Sequence, residues 1–334
     1  MEKKKKTQVV YVLVATPGDT FVEELWVSVY SLRIYEPERE IRVCCDEETS
    51  RILEKYEKLV AMLTEIVIIS GLNQYKTNIE GRRSRHIKTA LRGYLEGPFL
   101  YLDTDTVICA PLDEIDEFNC DIAGVIDANI DFNANPFRKS ILQYIQDIFG
   151  IDASFHPHWI NGGVLYVADN EKTHAFFRNW HKNWRYSVDT KDLGRDMPPL
   201  LKAEIDSNLL ITEIPGYFNA QLYMSIQYFG EAKILHFLHS YFPEDQSFSP
   251  FFDKSIYKKI REDGDISPEM EFMIKHVKSA FTSPSMIVGE RTLKFMASPV
   301  EPIFEKIYAE GGAASWLMQR VAVWLAWLHK YTKH

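Results

Sequence analysis

The chain has 334 residues, a mass of 38.8 kDa and 46% hydrophobic, 25% charged and 13% aromatic residues. These proportions belong to a globular protein and exclude collagen-like, disulfide-scaffold and disordered classes. With 47 acidic against 38 basic residues the net charge is -9, so no global positive field steers the chain onto nucleic acid; no apolar run reaches the roughly 18 to 20 residues that span a bilayer.

Lys3 to Lys6 followed by Val9–Ala15 mimics a short signal peptide, but the apolar run is seven residues long and meets Thr16-Pro17-Gly18-Asp19. It reads better as a first strand behind a basic tail. Being continuous and β-branched, it suits a parallel sheet covered on both faces. Glu23–Tyr35 follows with Leu25, Trp26, Val29, Leu32 and Ile34 at helical spacing. Ile41–Cys45 is a short strand ending on Asp46-Glu47-Glu48, Thr49 caps a helix running through Leu63, and Glu65–Ser70 is a third strand. Arg82–Leu95 is a basic helix with Arg82, Arg83, Arg85, Lys88 and Arg92, and the strand Phe99–Leu102 leads into Asp103-Thr104-Asp105.

Asp121–Ile126 is a strand ending at Asp127, Asn161-Gly162-Gly163 leads into the strand Val164–Val167, and Lys233–Phe237 is a short apolar segment ending near His236. The alternation predicts an α/β fold, an open and mostly parallel twisted sheet flanked by helices, with ligands beyond the carboxyl ends of the strands. Past about residue 245 helices take over. The expected division is therefore an α/β domain over 1–245 and a mainly helical region over 246–334. Four cysteines, Cys44, Cys45, Cys109 and Cys120, show no CxxC or zinc spacing, which suits reduced thiols in a cytoplasmic protein.

The segment FLYLDTDTVI carries the strongest chemical signal. Asp103 and Asp105 stand one residue apart where a buried strand emerges, so on an extended chain they point the same way, about 7 Å apart at Cα. Such a pair can hold a divalent cation with oxygen ligands, Mg²⁺ or Mn²⁺; a solvated acidic turn is the plainer alternative. The preceding helix presents Arg85 and Lys88 three residues apart, with Arg92 a turn further on, and cations converging with a metal make a diphosphate site. In Asn161-Gly162-Gly163, paired glycines permit close backbone approach to a ligand, or else a tight hairpin.

Together VVYVLVAT, SRHIKTALRGYL, YLDTDTVI, WINGGVLYV, Asp196 in RDMPPL, and KILHF resemble the GT-A fold nucleotide-sugar glycosyltransferases, closest to the retaining, galactosyltransferase-like glycosyltransferase family 8. They occur in that family's order from residue 9 to about 240. The resemblance implies that Asp103, Asp105 and His236 ligate Mn²⁺ bridging the diphosphate of a UDP-sugar, with His239 as a rival ligand. It places the nucleotide against Ala15 and Thr16, brings Arg85 or Lys88 to the diphosphate or sugar, and lines the sugar with Asn161, Gly162 and Gly163. Asp196 and Asp105 are the implied catalytic residues, Asp196 meeting sugar hydroxyls or the developing cation. Where relatives often have Gln after this Asp, this chain has Met197, which offers no amide oxygen. The expected reaction is hexose transfer to a glycan or glycolipid acceptor with retention.

FLYLDTDT also resembles the first motif of haloacid dehalogenase-like phosphatases, with Gly264–Glu269 (GDISPE) as a late acidic motif; a non-catalytic sugar- or nucleotide-binding relative is a further alternative. At the far end, Trp316–Leu328 is apolar at 11 of 13 positions, with His329, Lys330, Lys333 and His334 after it. This suits either a helix lying in a membrane interface through residues 316–330, on the inner face, or one packed on the body.

Overall fold

The computed structural model describes residues 6–72, 79–222, 225–239, 249–280 and 290–331. Lys3 to Lys5, the expected boundary near 245, and Lys333 and His334 lie outside the described residues. In chain order the elements are β1 (Gln8–Leu13), α1 (Phe21–Tyr35), β2 (Ile41–Asp46), α2 (Glu47–Leu53), α3 (Glu57–Val60), β3 (Glu65–Ile69), α4 (Ile79–Ala90), β4 (Phe99–Leu102), β5 (Thr106–Ile108) and β6 (Ile122–Ile126). They continue with α5 (Arg138–Phe149), β7 (Ile160–Val167), α6 (Glu171–Lys191), α7 (Met197–Ser207), β8 (Thr212–Glu213), β9 (Ala220–Gln221) and β10 (Ile234–His236). The C-terminal part holds α8 (Ser255–Asp263), α9 (Pro268–Lys275), α10 (Glu290–Met296), α11 (Glu301–Glu310) and α12 (Gly312–Tyr331).

Seven strands form the main sheet in the order β3-β2-β1-β4-β7-β6-β8. All neighbours pair parallel except that β7 runs antiparallel to both β4 and β6. The uninterrupted apolar run of β1 has its reason in two covered faces. Val9, Tyr11 and Leu13 join one core with α1, while Val10 and Val12 join another with Ile87 of α4 and Phe176, Phe177 and Trp180 of α6. A second sheet, in the order β5-β10-β9, was not anticipated; its strands are two or three residues long, too short for a periodic signal.

The expected helix from Thr49 through Leu63 is instead two short helices, and its cap is Asp46, whose carboxylate accepts the Thr49 backbone N–H at 2.9 Å. The break has a packing reason. Leu53 and Leu59 are both fully buried in one core, yet residues six apart fall roughly 240° apart around a straight helix. A bend at Tyr56 turns both inward, and the Tyr56 hydroxyl donates to the buried Glu23 carboxylate at 2.6 Å. Arg261 of α8 reaches the same carboxylate with two bonds of 2.8 and 2.6 Å. Phe251, Ile256, Ile260, Met270 and Ile274 join the core that contains α1, so residues 249–280 pack on the sheet's own core. In α11 and α12, by contrast, Ile303, Tyr308, Trp316, Leu317, Val323, Trp324, Leu325 and Trp327 are all more than half exposed.

Where α4 crosses α6, His86 and His181 meet edge to face with centroids 4.6 Å apart, and His181 stacks on Trp184. Burial pushes both imidazoles down to about 4, with Arg185 adding to the effect. The unfolded chain therefore takes up protons between about pH 6.5 and 4 that the folded chain does not, so stability falls as pH drops through that window. We expect urea midpoints to drop between pH 7 and 4.5, and to drop less in His86→Gln/His181→Asn; equal slopes in the two proteins would contradict this assignment.

Candidate donor and metal site

At the carboxyl end of β4 the chain turns through Asp103-Thr104-Asp105 and enters β5, passing from the main sheet to the small one. The two carboxylates thus sit in a turn and not on an extended strand. The backbone is held from both sides: the Asp103 N–H donates to Gly163 O at 2.8 Å, and the Phe237 N–H donates to Asp105 O at 2.9 Å. Beneath the turn runs a buried line of hydroxyls. Tyr11 Oη lies 2.9 Å from Ser28 Oγ, which lies 2.9 Å from Thr106 Oγ1, and Thr106 donates to the Asp103 carbonyl at 2.8 Å.

His236, on β10, faces the turn. Its Nε2 lies 3.1 Å from Asp105 Oδ1 and 3.8 Å from Asp103 Oδ2, and donor atoms of the three residues all fall within 4.8 Å of one another. Asn219 Oδ1 takes the other ring nitrogen at 3.0 Å. That contact orients the ring and turns Nε2 toward the two carboxylates, where it would face a bound cation. The backbone N–H of His239 donates to Asp105 Oδ2 at 3.0 Å. Burial alone would raise the Asp105 carboxyl, but His236 and this N–H outweigh it and hold the group well below the usual carboxylate range. Two carboxylates and one imidazole suit Mn²⁺ or Mg²⁺, the imidazole favouring Mn²⁺.

The rival His239 has its ring committed elsewhere. Nε2 donates to Phe251 O at 2.7 Å and Nδ1 lies 3.3 Å from a Glu24 carboxylate oxygen.

Lys88 crosses the site from α4. Its ammonium lies 2.7 Å from Asp196 Oδ2 and 3.3 Å from Asp103 Oδ1, and 4.9 Å above the Tyr101 ring, whose hydroxyl also donates to Asp103. Burial opposes charge on both partners of the Lys88–Asp196 pair. The two carboxylates nevertheless raise the lysine, and Lys88 followed by Arg85 lowers Asp196, so the pair is ionised.

Asn161, Gly162 and Gly163 are part of β7, which excludes the hairpin alternative. Gly163 is required by close approach: a Cβ there would lie 2.3 Å from His236 Cε1 and 2.7 Å from Asp103 Oδ2. At Gly162 a Cβ would point at Asp196 Oδ2 and Lys88 Nζ, 3.3 and 3.5 Å away. Asn161 acts mostly as a brace. Its Oδ1 accepts from the Gly163 N–H at 2.9 Å and Asn219 Nδ2 at 3.1 Å, and its Nδ2 donates to Asp127 Oδ1 at 2.9 Å.

The structure therefore brings together Asp103, Asp105, His236, Lys88, Asp196, Asn161, Gly162 and Gly163, with Arg85 acting on Asp196 electrostatically. Ala15 and Thr16, past the end of β1, have partners outside this group: the Ala15 N–H donates to Thr49 Oγ1 at 2.9 Å, and Thr16 donates to Asp19 through N and Oγ1 at 2.5 and 2.9 Å. Arg92 is a correction to the expected cation cluster. It lies in the 3₁₀ turn Leu91–Gly93, where the change of pitch swings its guanidinium to Gly97 O, Leu95 O and Asp169. Met197, the first residue of α7, packs against the small core around Trp159 and Leu201.

Three residues with site contacts escaped sequence reasoning: Tyr101, Asp127 and Asn219. Asp127 ends an apolar strand just as Asp103 does, and that shared position is the signal that could have singled it out; burial raises its carboxyl despite the Asn161 bond. Asn219, in an irregular segment, carried no signal.

No protein-family model matches the sequence, and no curated protein matches it. Among solved structures, the bifunctional glycosyltransferase WbbM in its apo form superposes with a TM-score of 0.51 at 12% identity, over 82% of this chain and 52% of that one. Mouse xyloside xylosyltransferase 1 in its apo form gives 0.48 at 12% identity, over 71% and 99%. GlyE of Streptococcus pneumoniae TIGR4 gives 0.45 at 15% identity, over 84% and 67%. At such identities the likeness bears on architecture. A mostly parallel sheet flanked by helices, ending in a carboxylate turn that feeds a small second sheet, is a GT-A type glycosyltransferase fold.

Proposed function

We propose that the protein is a metal-dependent glycosyltransferase that moves a hexose from a UDP-sugar to a saccharide or glycolipid acceptor with retention. The observation that carries this reading is the convergence of Asp103, Asp105 and His236 beside the Lys88–Asp196 pair, across a strand stripped of side chains at Gly162 and Gly163. Asp103, Asp105 and His236 would hold Mn²⁺, with Mg²⁺ as the alternative; when bound, the ion supplies positive charge against the departing diphosphate. Lys88 holds Asp196 ionised and oriented toward the sugar subsite, where its charge opposes the positive charge that develops on the sugar. Arg85 adds positive charge on the diphosphate side, and Ala15 and Thr16 border the nucleotide. In a front-face reaction the bond from the anomeric carbon to phosphate breaks, the bond to the acceptor oxygen forms on the same face, and the acceptor proton passes to the leaving phosphate. Met197 has no part in this.

The phosphatase alternative loses its late motif. Asp265 of GDISPE sits in the turn between α8 and α9, paired with Lys58 at the surface.

We also propose that α12 rests in an anionic membrane interface at the cytoplasmic face. Among the described residues no helix is long and apolar enough to cross a membrane. Trp316, Trp324 and Trp327 are nevertheless 55–60% exposed, and α12 carries Arg320 and Lys330 with no acidic residue in a chain of net charge -9. Exposed tryptophans on a helix whose own charges are all basic fit an interface; the glutamates Glu301, Glu305 and Glu310 belong to the neighbouring α11. Full-length protein should sediment with vesicles containing anionic lipid and less with zwitterionic ones, and Trp324→Glu/Trp327→Glu should abolish the difference. Equal sedimentation of the wild type and this variant would refute the contact.

For the donor site, UDP and Mn²⁺ together should raise the unfolding temperature more than either alone. Ligand at 100 times its Kd adds about 2.7 kcal/mol, a shift of a few degrees at this size. Asp105→Ala should erase the joint effect, and so should Gly163→Ala, whose methyl occupies the space between His236 and Asp103. Asp196→Asn should keep the joint shift while turnover with a UDP-hexose falls about 10²-fold or more. A joint shift that survives Asp105→Ala would remove the metal assignment. No shift with UDP, GDP or CMP would remove the main support for the glycosyltransferase reading.

A further inference from the structure

A second group of ionisable side chains lies away from the donor site, where the segment leading into β7 passes beneath α7. His156 Nε2 is 3.0 Å from Glu204 Oε2, and His158 Nε2 is 2.8 Å from Glu204 Oε1. The three side chains are only 3%, 7% and 2% exposed, and one donor atom from each falls within a common 4.8 Å. An apolar cluster of Phe132, Ile145, Ala153, Trp159 and Leu201 lies along the same segment and helix.

Hydrogen bonding alone does not account for this arrangement economically. The Ile211 N–H already donates to Glu204 Oε1 at 2.8 Å, so a single imidazole on Oε2 would give each carboxylate oxygen a partner. Instead two histidines, two residues apart on one segment, each turn Nε2 onto it, and burying each polar ring has its own desolvation cost. Neither ring has any part in the donor site.

We infer that His156, His158 and Glu204 form a second divalent-metal site, separate from the donor site and selective for Zn²⁺. Two imidazole nitrogens and one carboxylate oxygen suit zinc and leave a fourth position for water. Without metal each ring donates from Nε2 to the carboxylate; with metal each moves that hydrogen to Nδ1 and turns the freed Nε2 lone pair to the ion, with no net proton change at the rings. The site is a positioning one. His158 lies three residues before Asn161, and Glu204 belongs to α7, whose N-cap is Asp196, so an ion there ties the sugar-facing strand to the helix that carries Asp196. This inference stands whether or not the donor-site reading does.

The test uses the full chain with the donor site silenced as Asp103→Asn/Asp105→Asn, stripped with chelator and titrated with Co²⁺. One Co²⁺ should bind per chain with the intense visible absorption of four-coordinate cobalt, and Zn²⁺ should displace it. Adding Glu204→Gln, which keeps a hydrogen-bond acceptor for the rings, should remove the absorption; a matching circular dichroism spectrum confirms that this variant folds. Zn²⁺ should also raise the melting temperature of the silenced protein and leave that of the Glu204→Gln derivative unchanged. Should the silenced protein bind no Co²⁺ and melt alike in Zn²⁺ and EDTA, the cluster is a hydrogen-bonded triad and the inference falls. It falls equally if Glu204→Gln binds Co²⁺ as well as its parent does.

Discussion

Between Leu102 and Thr106 the chain leaves one sheet and enters another, and the groups of the candidate site are arranged around that crossing. The main sheet fixes one side of it through the Asp103 N–H on Gly163 O, and the small sheet fixes the other through the Phe237 N–H on Asp105 O. His236 is set by its pairing with Thr106 across β5 and β10. Gly163 is set by the antiparallel register that puts Val164 opposite Leu102. Because β7 runs against its neighbours, its beginning lies beside the end of β4, which is how a strand contributes its first residues to a site at the carboxyl edge of a parallel sheet.

Electrostatics then does the rest. Asp103, Asp105, Asp127 and Asp196 crowd one region, against Lys88 within hydrogen-bonding reach and Arg85 acting from α4. Four carboxylates with so few cations leave a deficit of positive charge in a partly desolvated place. Lys88 relieves it on one side of Asp103, and the divalent ion proposed above would relieve it on the other. The division is visible in the atoms, since Oδ1 of Asp103 faces Lys88 and Tyr101 while Oδ2 faces His236.

Much of this could be read from residue order because local patterns carried it. The strand Phe99–Leu102 has the bounds its apolar run implied, and the run Val9–Val14 is buried throughout, as a doubly covered strand should be. The grouping of Asp103, Asp105 and His236 rested on motif resemblance, since residues 131 positions apart have no local reason to meet. What escaped reading was non-local or short. β5 and β9 are recognisable only by their partner, Arg92 looked like a further turn of α4 until the 3₁₀ pitch rotated it, and Thr49 looked like a cap because the true cap, Asp46, also ends a strand. His156 and His158 offered no pattern of their own; their meaning arises with Glu204, 48 and 46 residues later.

The hydroxyl line beneath the turn has a polarity. A carbonyl only accepts, so the Thr106 hydroxyl spends its hydrogen on Asp103 O; Ser28 must then donate to Thr106, and Tyr11 to Ser28. Every O–H in the line therefore points its positive end toward the turn. Burial pushes the Tyr11 phenol far up, so the line does not reverse by losing its first proton. Three aligned dipoles in an apolar core strengthen one another, and their positive ends face the turn that carries Asp103 and Asp105. The sheet is in this sense polarised toward the crossing from which the two carboxylates project.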